Sequence, residues 1–369
     1  MILVNEPLLN GNERKYLNDC IDSGWISSEG PYVRAFEGAM TTITGRTHAV
    51  AVSNGTVAID AAVEALGIGP GDEVIVPTFT IISCVLQIVR AGATPVLVDC
   101  DPLTFNVDPR AVVEKITAKT KAIMIVHIYG LPVDVDPILR VAGDLGIPVI
   151  EDAAEVIGQT YNGRPCGSLG DISCFSFYPN KHVTTGEGGM VLTDNDRLAE
   201  TARSLRNLCF LPGRRFVHER LGWNLRMTNL QAAVGLAQSE RLPEFIDRKR
   251  LNARRYNDLL KGLSGVVLPV ERTAYAENVH WVYTIVLEEG HRLRAPETMA
   301  ALREKGIETR PFFFPLHLQP ALLTSGVVSP QTLPASEGLY ERGFYIPSGL
   351  ALTESQAHEV AEALWDVLK

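Results

Sequence analysis

Lys181 and Asp152 each follow a short apolar run. Lys181 closes Ser176-Phe177-Tyr178-Pro179-Asn180-Lys181 and precedes the turn Gly186-Glu187-Gly188-Gly189. Asp152 ends Ile147-Pro148-Val149-Ile150-Glu151-Asp152. An amine that forms imines needs a shielded pocket and a lowered pKa. A carboxylate nearby can keep a pyridine nitrogen protonated, so that the ring draws off the electrons left when a substrate proton departs. The pair therefore suits pyridoxal 5′-phosphate held as a Schiff base. Plainer readings exist for each residue alone: Lys181 as a solvated loop lysine, Asp152 as a cap on the next helix. Ser176 before the lysine and the glycines after it, which let backbone approach a ligand closely, favour the cofactor.

Other residues have weaker signals. Glu155 could support another edge of a cofactor, complete a capping box, or be solvated. Ser53-Asn54-Gly55-Thr56 stands at a strand-to-helix junction, where amides and hydroxyls make a phosphate cradle; many ordinary helices also begin this way. Gly222-Trp223-Asn224-Leu225-Arg226-Met227-Thr228-Asn229 reads as a turn before a capped helix. His317, after a run of aromatics and prolines, is either a substrate ligand or a packed, satisfied histidine. The sequence lacks a Walker GxxxxGK[ST] and a strand-following GxGxxG, which argues against nucleotide hydrolysis and Rossmann dinucleotide binding.

These residues need a scaffold. Strands are predicted at 49–52, 73–76, 95–98, 122–128, 147–150, 172–177 and 189–192, with helices at 57–66, 81–90, 109–116 and 137–145. Short apolar runs alternating with helices imply an α/β fold whose mostly parallel sheet is covered on both faces. Ligands of such sheets bind beyond the carboxyl ends of the strands, where Asn54, Asp152, Ser176 and Lys181 fall. Longer helices follow at 196–207, 228–241, with Thr228 as a possible cap, and 245–263. A strand at 279–287 and helices at 295–304 and 354–367 suggest a smaller C-terminal α+β domain. The predicted division is 1–242 for a large cofactor-binding domain and 243–369 for the small one.

Bulk properties narrow the class. The 369 residues correspond to roughly two domains of ~150 residues. The chain is 46% hydrophobic and 21% charged, enough for a large core. Its formal charge of −9 disfavours nonspecific nucleic-acid binding, which rests on clustered cations. Six cysteines form no CxxC pair, so free buried thiols are expected and a metal site is not. The N-terminus has no signal-peptide pattern and no run reaches the ~18 apolar residues of a membrane helix. A cytoplasmic protein is expected.

Taken together, several motifs resemble those of the fold-type I, pyridoxal-phosphate-dependent DegT/DnrJ/EryC1/StrS sugar aminotransferases. They are Ser23-Gly24-Trp25-Ile26-Ser27-Ser28, Ser53-Asn54-Gly55-Thr56, Val76-Pro77-Thr78-Phe79-Thr80, Glu151-Asp152-Ala153-Ala154-Glu155, Ser176-Phe177 with Asn180-Lys181, Thr185-Gly186-Glu187-Gly188-Gly189, and Asn224-Leu225-Arg226-Met227-Thr228-Asn229. The resemblance spans nearly the whole chain. It implies a seven-stranded, mostly parallel sheet between helices. It implies that Lys181 forms the Schiff base and moves the proton, and that Asp152 pairs with the ring nitrogen. Gly55, Thr56 and Ser176 would hold the phosphate, and Glu155 would lie near the ring hydroxyl. Asn224 would reach the cofactor of a neighbouring subunit, making a homodimer the active unit. Arg226 and His317 would contact the substrate. Ile81 occupies a position where many relatives place an aromatic residue against the cofactor ring, so apolar contact would replace stacking.

The implied reaction passes an amino group from glutamate to a nucleotide-linked keto sugar, with pyridoxamine phosphate as the intermediate carrier. The stretch at 13–25 and the segment at 310–313 resemble family members acting at C4 of GDP-4-keto-6-deoxy-mannose. UDP- or dTDP-linked keto sugars are the alternative substrates. A noncatalytic regulator or scaffold of the same fold is a third reading, opposed by the presence of Lys181, Asp152 and Ser176 together.

Overall fold

A computed structural model describes residues 1–211 and 213–369. Its main sheet has seven strands: β1 (His48–Val52), β2 (Glu73–Pro77), β3 (Thr94–Val98), β4 (Thr120–Val126), β5 (Val149–Asp152), β8 (Ile172–Ser176) and β9 (Gly189–Thr193). Two short strands, β6 (Thr160–Tyr161) and β7 (Arg164–Pro165), form a hairpin between β5 and β8. The order across the sheet is β1-β9-β8-β5-β4-β2-β3. Only β9 runs against the others, pairing antiparallel with both β1 and β8.

Alternation along each strand explains why the sheet is buried on both faces. Val50, Val52, Val74, Val76, Met124 and Val126 enter one hydrophobic core. Their neighbours Ala49, Ala51, Ile75, Ile123 and Ile125 enter the other. The first core is shared with α3 (Gly55–Ala65) and α4 (Ser83–Arg90); the second includes residues of α5 (Pro109–Glu114) and α6 (Asp136–Leu145). The fold is the α/β arrangement anticipated from the strand–helix alternation, with shorter helices at several ends.

Two helices that the strand–helix pattern did not anticipate precede the sheet, α1 (Glu13–Ser23) and α2 (Pro31–Thr44). Both pack against α8 (Asn229–Ser239), which follows α7 (Asp196–Arg206). A short hairpin, β10 (Phe210–Leu211) and β11 (Arg214–His218), lies between α7 and α8. Thr228 caps α8 through a reciprocal capping box with Gln231, satisfying amides that the helix cannot pair itself.

The long helix α9 (Leu242–Leu259) leads to a second, four-stranded sheet of order β12-β13-β15-β14. Its strands are β12 (Val266–Val267), β13 (Tyr283–Leu287), β14 (Arg310–Pro311) and β15 (Gly343–Ile346), with helices α10 (Ala295–Glu304), α11 (Pro320–Thr324), α12 (Pro334–Arg342) and α13 (Glu354–Leu368). A third core, built on Tyr256, Tyr283, Phe344, Ile346 and Leu364, holds this unit together. The N-terminal end of the chain joins it: Ile2 pairs with Ile307, and Ser348 N–H donates to the Val4 carbonyl. Among the described residues no helix is long and apolar enough to cross a membrane.

The predicted strand at 279–287 is shorter than expected. Residues 279–282 leave the sheet, with His280 in the left-handed region at φ 51°. That turn brings Trp281 toward the carboxyl ends of the main-sheet strands.

Candidate active site

The carboxyl ends of β1, β2, β4, β5 and β8 open into one cavity of about 700 Å³. Each strand end delivers a short polar segment, as open parallel sheets do at their ligand sites. Gly55 and Thr56 come after β1, Ile81 after β2, Asp152 and Glu155 from β5 and beyond, and Ser176 and Lys181 from β8 and beyond. The small unit closes the cavity with Trp281, Phe313 and Tyr345.

Near β1, Asn54 is the N-cap of α3, accepting from Val57 N–H at 3.0 Å. The first amides of α3 have no partner inside the helix and carry the positive end of its dipole. A Cβ on Gly55 would stand 2.6 Å from Ser176 Cβ, so only glycine lets the helix start press against the end of β8. Thr56 Oγ1 and Ser83 Oγ lie 3.0 Å apart at the same edge. Amides and hydroxyls thus converge at one edge of the cavity, an arrangement that suits an anion.

Asp152 is 4% exposed. Ala154 N–H donates to its Oδ1 at 3.0 Å and the Cys84 thiol to its Oδ2 at 3.4 Å. Burial raises its pKa, opposed by the Ala154 amide and by the charge of Lys181. Such a carboxylate favours a cationic partner in the cavity.

Lys181 and Glu155 face each other, with Nζ 3.4 Å from Oε1. Tyr129 N–H donates to the other Glu155 oxygen at 2.7 Å. Burial lowers the pKa of Lys181, opposed chiefly by Glu155 and Asp152. Burial pushes Glu155 up to about 7, opposed by Lys181. Both shifts favour the neutral forms, the condition in which an amine is a nucleophile.

Just behind the site, Glu151 is completely buried. Its Oε1 accepts from Gly167 N–H and its Oε2 from Leu169 N–H, Gly170 N–H and the Ser173 hydroxyl. His127 Nδ1 accepts from Val133 N–H, so its Nε2 carries the proton and donates to Glu151 Oε1 at 3.1 Å. Burial works to raise the Glu151 pKa, but His127 and the amides hold it at about 2. This network fixes the backbone just before Asp152.

The structure brings Gly55, Thr56, Ile81, Asp152, Glu155, Ser176 and Lys181 around a single cavity. Ile81 is 49% exposed on its wall. Three other expected residues do not line it. Asn224 is exposed in a bridge with Asn207, and Arg226 Nη1 donates to Asn207 Oδ1 at 2.8 Å. His317 is fully buried, with Nδ1 2.8 Å from Thr78 Oγ1 and Nε2 3.0 Å from Glu337 Oε1. That is the packed, satisfied histidine of the plainer reading.

Sequence reasoning did not single out Trp281, Cys84 or Tyr129 for the site. Lys181 Nζ lies 3.6 Å from the centroid of the Trp281 ring. Nothing local to Trp281 signals this; the contact exists because 279–282 departs from the sheet. Cys84 drew attention only as a buried thiol. Its reach to Asp152 depends on how α4 packs against the sheet.

Comparison with known proteins gives one consistent result. The model of the DegT/DnrJ/EryC1/StrS aminotransferase family matches residues 7–365. A GDP-perosamine synthase of Caulobacter vibrioides is 44% identical, covering 100% of this chain and 98% of the relative. A GDP-perosamine synthase of Vibrio cholerae is 41% identical, with 99% and 98% covered. The structure of S. venezuelae DesV in complex with a ketimine intermediate superposes with a TM-score of 0.89 at 34% identity, covering 96% of this chain and 94% of DesV.

Proposed function

The chain belongs to the DegT/DnrJ/EryC1/StrS aminotransferase family, and from that premise we propose that it moves the amino group of glutamate to C4 of GDP-4-keto-6-deoxy-D-mannose, giving GDP-perosamine. It is a pyridoxal-phosphate-dependent sugar aminotransferase. The observation that carries the substrate reading is the full-length identity of 41–44% to two GDP-perosamine synthases.

The residues present fit the cofactor. The α3 start, Thr56 and Ser176 form a cradle that a Cβ on Gly55 would fill. Asp152 is a buried carboxylate that, among the described residues, has no cationic group in direct contact, which leaves it free to pair with a ring N–H⁺. Lys181 is a buried amine at the edge of the same cavity. Ile81 would offer an apolar face where other members use an aromatic one. When bound, pyridoxal phosphate supplies an aldehyde that accepts the amino group and a ring that accepts an electron pair.

Gly55 and Thr56 amides with the Ser176 hydroxyl would bind the phosphate. Asp152 would keep a proton on the ring nitrogen. Lys181 Nζ would be the attachment point and, when released, would take the proton from the glutamate Cα. In the second half-reaction the same Nζ would return a proton to the carbon that becomes C4–H of the amino sugar. Glutamate leaves as 2-oxoglutarate. Glu155 would hold the Lys181 amine within reach, and the apolar wall of Trp281, Phe313 and Tyr345 would exclude water from the transfer. General acid–base work of this kind needs one positioned base of tuned pKa.

Asn224, exposed and away from its own cavity, would complete the site of a second copy, so the working unit is a homodimer. Arg226 and His317 enter this reading differently. Arg226, beside Asn224, would face substrate across the same interface; His317 would act through the loop it anchors to Thr78. Incubation with glutamate and a panel of GDP-, UDP- and dTDP-linked 4-keto sugars, with products read by mass, tests the substrate. Conversion of the GDP sugar in clear preference supports the proposal. Preferred conversion of a UDP or dTDP sugar overturns the substrate while leaving the chemistry.

A further inference from the structure

Trp281 meets both the Lys181 amine and the carbonyl of the residue before it. The amine lies 3.6 Å from the indole centroid. The indole Nε1–H donates to the carbonyl of Asn180, the residue before Lys181, at 2.7 Å. The tryptophan is itself pinned. Its backbone carbonyl accepts from Lys249 Nζ at 2.7 Å, and the same Nζ donates to the Ser348 carbonyl at 2.7 Å. Lys249 is 2% exposed. Burying a lysine is unfavourable unless its donors are used, so this side chain ties α9 to the segments at 281 and 348.

A lysine side chain is a flexible stem bearing a compact charge. In the reaction proposed above, its amine would leave the cofactor in the first half-reaction and return to it in the second. Two features of the site act on the free amine in opposite senses. Burial disfavours the ammonium, whereas an aromatic face favours it. Glu155 supplies the countercharge.

We propose that Trp281 is the positioning platform for Lys181: its face receives the amine whenever it is not bonded to the cofactor, and its Nε1–H fixes the backbone from which that amine swings. The inference rests on Lys181 being the attachment residue.

The test uses the cofactor-free protein. Fluorinated tryptophans weaken the negative ring face with little change in shape. Replacing all four tryptophans, Trp25, Trp223, Trp281 and Trp365, alters one ring in contact with Lys181 among the described residues. Trace labelling with acetic anhydride across a pH series, with the Lys181 peptide read by mass, gives the midpoint of amine protonation. The midpoint should fall stepwise with fluorination, by up to about one unit. Trp281→Leu should lower it by a similar amount. An unchanged or raised midpoint in the fluorinated protein would overturn the platform. Borohydride trapping of the cofactor-loaded wild type, run alongside, separates the two claims: a tag on Lys181 with an unmoved midpoint rejects the platform alone, and a tag elsewhere rejects its premise.

Discussion

Burial drives Lys181 and Glu155 in opposite directions on the pKa scale and to the same chemical result, a pair biased toward neutrality. A buried carboxyl and a buried amine 3.4 Å apart share that bias because water is excluded from both. Lys181→Ala should abolish transamination and the visible absorbance of the lysine-linked cofactor, read by spectrophotometry. Asp152→Asn should reduce turnover by about 10²- to 10³-fold, the usual loss when one preorganised electrostatic partner is removed, with the fold intact by circular dichroism. Glu155 supplies a pH prediction. Its folded pKa of about 7 lies above the ordinary 4.5, so its contribution to stability is fully present below about pH 4.5 and is lost as pH rises through 7. The full shift corresponds to about 3 kcal/mol. In the cofactor-free protein, Glu155→Gln should therefore gain stability relative to wild type as pH rises from 5 to 8, measured by denaturant melts. Parallel curves for the two proteins would contradict a carboxyl whose pKa burial has raised.

At the scale of elements, the cradle is a contact between the start of α3 and the end of β8. Six strands, β2 to β7, run between them in sequence order, yet β1 and β8 are separated in the sheet by β9 alone. Gly55 makes the approach possible. Gly55→Ala would drive a Cβ to 2.6 Å from Ser176 Cβ and should destabilise the protein by about 1–3 kcal/mol, as overpacking does. Its affinity for pyridoxal phosphate should fall more than tenfold in a titration of the cofactor-free protein. Cofactor binding at wild-type affinity would contradict the cradle. This level of organisation was largely readable beforehand. Apolar runs separated by capped helices reveal parallel strands, and the polar residue after each strand is then a candidate by position. Asp152, Ser176 and Lys181 fell at strand exits for that reason. Helices α1 and α2 escaped because the first carries few apolar residues, and neither belongs to the strand–helix alternation. Trp281 escaped because its run reads as one continuous strand from 279, and only tertiary packing bends it out.

On the scale of the whole molecule, two units meet over the strand ends. The larger supplies the polar groups, and the smaller supplies the cover of Trp281, Phe313 and Tyr345. A sequence can place residues on elements, but contacts between units far apart in the chain depend on how those elements dock. His317 illustrates the limit: it anchors its loop to Thr78 and to Glu337 of α12, and turns no ring nitrogen to the cavity. Asn224 raises the same issue one level up, between copies. If the sites are shared, mixing inactive Lys181→Ala and Asn224→Ala proteins under conditions that exchange subunits should restore activity; no recovery would contradict a shared site. The attachment point of the cofactor is the property most directly open to measurement. Borohydride reduction of the cofactor-loaded enzyme, followed by digestion and peptide mapping, should place the pyridoxyl group on Lys181 alone, and a tag on another residue, or none, would contradict it.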